Sequence, residues 1–215
     1  MQLIPTLALL ALLGSCANAA DLIGAAKVTA DMDRDRLARL MHVNQAEINV
    51  EAERPFTSAS VRLDFYRDGK KVDTFVAASK RGSTPQNSAT VSLQTADLDV
   101  LKLANGKPGS VRFIVDLSTS GDGLRTHAAQ EHDVSKDVCS LSEWSGASWW
   151  SSREFHDDAL PLFWMLKDRD SDTHQVISGN SPDALVKSNP TADIVIVSIQ
   201  LTDESATDGV ASAAQ

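Results

Sequence analysis

Cysteine is almost missing from this chain, tyrosine occurs once, and lysine plus arginine number 20 against 29 acidic residues. Each shortage closes off a class of protein. The only cysteines are Cys16 and Cys139, with no Cys-x-x-Cys, so neither a cysteine zinc site nor a thioredoxin-type redox motif is available. A formal net charge of −9 repels phosphate backbones and anionic headgroups, so no nucleic acid partner is expected. No long apolar run occurs after the first twenty residues, and no permanent membrane span is expected. A Gly-x-Ser-x-Gly elbow, a Walker loop and a dinucleotide fingerprint are also missing, which leaves only catalysis by residues distant in sequence.

What is present begins with an uncharged leader. Residues 1–20 carry no charged side chain, and Leu7-Ala8-Leu9-Leu10-Ala11-Leu12-Leu13 is too short an apolar run to cross a bilayer permanently. Ala17-Asn18-Ala19 has the small-x-small pattern that a signal peptidase accepts, and Asp21 opens a polar chain. The expectation is a cleaved signal peptide and a periplasmic or extracellular product, although the usual basic residue at the start is lacking. A second route competes with it. Leu13-Gly14-Ser15-Cys16 resembles a bacterial lipoprotein box, in which Cys16 would be lipidated and anchor the protein to a membrane. Either route leaves Cys139 as the only thiol of the folded part, expected to be a small buried side chain in an ordinary core.

From residue 46 to about 118 the chain alternates with period two. Ala46, Ile48, Val50 and Ala52 face one way, and Glu47, Asn49, Glu51 and Glu53 the other, up to Pro55. Val61, Leu63 and Phe65 repeat the pattern, and Asp68-Gly69 then predicts a tight hairpin into Val72, Thr74 and Val76. Further strands are expected over 90–95, 97–103, 110–118 and 124–134. Turns are expected at Arg81-Gly82-Ser83-Thr84-Pro85, at 105–109 and at 120–123. With 25–30 added, this is the strand count of an immunoglobulin-like antiparallel β-sandwich, spanning residues 21–135. Residues 33–43 read as a short helix.

Residues 136–201 read as a Trp-rich segment and a small C-terminal α/β extension packed on the sandwich. Within it, 139–152 looks like a surface connection and 160–166 like a strand. Ser181-Pro182-Asp183 has the cap, proline and acid of a helix start. Residues 194–201 are apolar on both faces, as in a central covered strand. The small polar residues 202–215 read as a disordered tail.

Three groups of residues could carry chemistry. Trp144, Trp149, Trp150 and Trp164 lie within 21 positions of a chain that is only 5% aromatic, so their clustering needs a cause. Exposed, they would stack on sugar rings or anchor a protein partner, with Asp157 and Asp158 supplying hydrogen bonds; buried, they would form a satellite core. Asp168, Asp170 and Asp172 have the alternate spacing of a calcium loop. Thr173 and Gly179 stand where an EF-hand needs its glycine and its bidentate glutamate, so a solvated turn is the simpler expectation. The histidines form no paired ligand motif. The composite expectation is an exported, non-enzymatic binding or assembly protein using the Trp-rich surface for a glycan or protein partner, without a cofactor. The alternatives are an envelope hydrolase with paired carboxylates, or a calcium-stabilised domain.

Overall fold

A computed structural model of the protein describes residues 21–31, 43–101, 106–122, 124–140, 146–150, 155–169 and 181–203. They are mainly antiparallel β. In chain order the elements are β1 (Asp21–Leu22), β2 (Ala25–Asp31), β3 (Val43–Arg67), β4 (Lys70–Asp97) and a helical turn α1 (Leu98–Leu101). There follow β5 (Ser110–Gly121), β6 (Leu124–Ser135), β7 (Gly146–Trp149), β8 (Leu160–Asp168), helix α2 (Pro182–Ser188) and β9 (Ala192–Asp203). All nine strands belong to one sheet, ordered β6-β5-β4-β3-β9-β8-β7, with β1 against β9 and β2 against β3. The expected leader, Cys16, residues 33–42 of the expected helix, Trp144, Asp170, Asp172 and residues 204–215 of the expected tail lie outside the described residues, whereas Val43 opens β3 and Thr202 and Asp203 close β9. Among those described, no helix is long and apolar enough to cross a membrane.

The β3–β4 hairpin organises the sheet. Its tip is the Asp68-Gly69 turn foreseen from sequence, with φ of 52° and 68°, the left-handed pair a two-residue turn requires. Further along, the ladder is offset twice in opposite senses. Between the pairs Glu51↔Ser88 and Phe56↔Gln86, the four residues 52–55 face only Asn87. Between Phe56↔Gln86 and Ser58↔Arg81, the four residues 82–85 face only Thr57. Extra residues in a strand bend it and raise its twist. Here they turn each long strand into two limbs that serve different walls. Pro55 therefore does not end β3, because it lies in the unpaired excess, where no ladder donor is needed. The turn expected at 81–85 is the matching excess on β4.

The two walls meet over one apolar core. The first limb of β3 pairs with β2 and with the second limb of β4, which continues to β5 and β6. The second limb of β3 pairs with the first limb of β4 and with β9, which continues to β8 and β7. Phe65 on the second wall meets Phe113 of β5 edge-on, with ring centroids 5.4 Å apart, and stacks on Phe75 at 5.4 Å. Ile48, Leu93, Leu117, Phe163 and Val197 are buried in the same core, and so is Cys139. Burying such side chains is the main driving force for holding the walls together.

The sheet does not close. β6 approaches the first limb of β4, but no ladder joins them; the gap is bridged by a side chain. The Nε2 of His132 lies 2.9 Å from the carbonyl oxygen of Ala77, and its ring lies 4.6 Å from that of Phe75. We call this line the seam.

A second, smaller core covers the outer face of the second wall. Trp164, Leu166, Ile194, Ile196 and Tyr66 alternate with the inward residues of β8, β9 and β3, and Trp150, Leu185 and Val186 pack over them. β9 is consequently buried on both faces, as its unbroken apolar run foretold. The helix α2 starts as expected, with the backbone N–H of Ala184 donating to the Ser181 hydroxyl. The weak strand expected at 97–103 is instead α1, where the Asp97 carboxylate accepts from the N–H of Asp99 at 3.0 Å and favours a turn.

Candidate functional site

Both tryptophans whose side chains are described go inward. Trp150 and Trp164 are each 4% exposed, held between α2 and the outer face of β8 and β9. Trp149 pairs through its backbone with Phe163, which is wholly buried. Of the aromatic residues described in this segment, Phe155 is the exposed one, at 42%. The helix that covers the rings is the one signalled by Ser181-Pro182, so local capping and distant packing agree.

Asp157 and Asp158 form a tight turn. Both have positive φ, 49° and 61°, inside the bridge between His156 and Ala159. The Asp157 carboxylate sits 2.7 Å from Lys71 Nζ, and this pairing holds it below its usual value against a smaller opposing effect of burial. It is therefore ionised at neutral pH and has no proton to give. The same lysine lies 3.4 Å from wholly buried Asp64, which also accepts from Arg62 Nε at 3.1 Å and from the Thr74 hydroxyl. Arg62 Nη1 in turn donates to the Asp157 carbonyl at 2.7 Å. The cluster ties the 156–159 turn to the sheet. Asp168 accepts from the Thr191 hydroxyl at 3.1 Å, and no three metal-ligating side chains converge among the described residues.

A second buried carboxylate, Asp193, lies near the start of β9. Asp193 takes Arg67 Nε at 2.8 Å and Nη2 at 2.7 Å, and the N–H and hydroxyl of Ser140 also donate to it. Burial drives the Asp193 carboxyl up, but the hydrogen bonds from Arg67 and Ser140 outweigh it, so it ends below the ordinary range. The remaining donors of Arg67 reach the carbonyls of Lys136 and Asp137. This node joins β3, β9 and the residues after β6. It is structural, since all its members satisfy one another.

Among the described residues, a recess of about 260 Å³ lies at one end of the seam. The double offset of β3 and β4 creates it, because residues 82–85 swing out of the ladder and leave space between the limbs. Lys80, Arg81 and Gln86 line it from β4, Thr57 and Phe56 from β3, Thr119 from β5 and Thr126 from β6. The close approach of β5 at this point depends on Gly121, where a Cβ would stand 2.6 Å from the Pro85 carbonyl oxygen. The lining contains two cations, five hydroxyl-bearing residues and no acid. The hydroxyls of Thr119 and Thr126 lie 3.0 Å apart, and the Thr57 hydroxyl donates to Asp203, at the end of β9, over 3.4 Å. Gln86 donates to the carbonyls of Thr84 and Pro85, yet its own Oε1 is buried with no donor. Such an orphaned acceptor is uncommon in a folded protein. None of these residues stood out in the sequence. The available signal was a Lys-Arg pair before a hydroxyl-rich stretch in a chain poor in cations.

Compared with protein-family models, curated proteins and solved structures, the chain matches none of them.

Proposed function

We propose that the protein is an exported, non-enzymatic binding protein that engages a glycan or protein partner at the recess at the seam, rather than across the tryptophans. One observation carries the reading: a recess of about 260 Å³ in which five hydroxyl-bearing residues, Gln86, Lys80 and Arg81 surround the apolar Phe56. A concave wall with several hydrogen-bonding groups around an apolar contact is the form that small-ligand sites take. In this reading the scaffold is an immunoglobulin-like sandwich whose two layers are the two limbs of one bent hairpin with their neighbours. Its leader directs export, and processing either frees the chain near Ala19 or tethers it through Cys16. The hydrolase alternative has no support in the ionised, lysine-bound Asp157.

The test is equilibrium binding to immobilised glycans, neutral and acidic, with the wild type and with Thr126→Trp, which puts an indole into the recess. The expected result is retention of the wild type by a subset and loss of that retention in T126W at an unchanged melting temperature. Equal retention of both proteins, or of neither, rejects the recess as the binding site.

A further inference from the structure

We draw no further inference here: the strongest candidate, the surface patch along the first limb of β4 where Val72 and Val76 stand exposed beside the unpaired edge of the sheet, carries none, because nothing among the described residues shows what covers it.

Discussion

At the scale of single residues, the most consequential side chain is Asp193. It sits wholly buried at the start of β9, and its stability rests on Arg67, which is itself mostly covered. Removing one partner of such a pair leaves the other charge buried and unanswered, a loss of about 3–5 kcal/mol. Asp193→Asn is therefore expected to lower the urea midpoint by that equivalent, and Arg67→Met combined with Asp193→Leu to recover a large part of it. The pH dependence has a defined sign. Because the folded carboxyl is held below its unfolded value, its contribution is present above roughly pH 4 and is lost as pH falls through the folded value. Asp133, lowered by its Arg112 hydrogen bond, and Asp157, lowered by Lys71, add in the same direction. Unfolding measured from pH 7 to pH 3 should show a falling acid limb that D193N makes shallower; an unchanged limb would count against Asp193 as its source. Nothing in the sequence singled out Asp193 or Arg67, since a buried pair 126 positions apart has no local pattern. Trp150 and Trp164 were conspicuous for the opposite reason: their density is local, but whether a ring is covered depends on β9 and α2, which arrive later in the chain.

At the scale of elements, local rules worked where the cause was local. The Asp68-Gly69 turn, the Ser181 cap and the two-faced burial of β9 could each be read from a few neighbouring residues. The double offset in the β3–β4 hairpin could not. Pro55 and the 82–85 stretch each signalled an interruption, but only the register shows that the two interruptions face each other in opposite senses and bend the hairpin instead of ending it. The recess is a by-product of that bend, which is why its residues were illegible. Gly121 guards the geometry, since any side chain there collides with the backbone of Pro85 and Gln86. Gly121→Val should cost about 1–3 kcal/mol through overpacking and shift the amide resonances of residues 82–86. Stability and resonances both unchanged would mean that β5 does not press on the bulge.

At the scale of the whole molecule, the seam is the weak line. One imidazole contact replaces a ladder between β6 and the first limb of β4, so the seam holds by a hydrogen bond and a ring contact. Their loss in His132→Ala is worth about 1–3 kcal/mol together. Amide exchange in residues 70–81 and 124–135 should quicken more than in β3 and β9; uniform acceleration would show that His132 serves the core and not the seam.

The order of strands has a consequence in time as well. Ser58 pairs with Thr202, and Tyr66 with Ile194, so the open side of β3 is filled by the final strand of the described chain. A chain that emerges from its N-terminus carries an apolar edge without a neighbour until its last strand arrives, and pairings between such distant positions form slowly. Completion of this part of the sheet is thereby deferred until residues 192–203 have been made. That order makes any truncation ahead of Ala192 a truncation of the middle of the sheet.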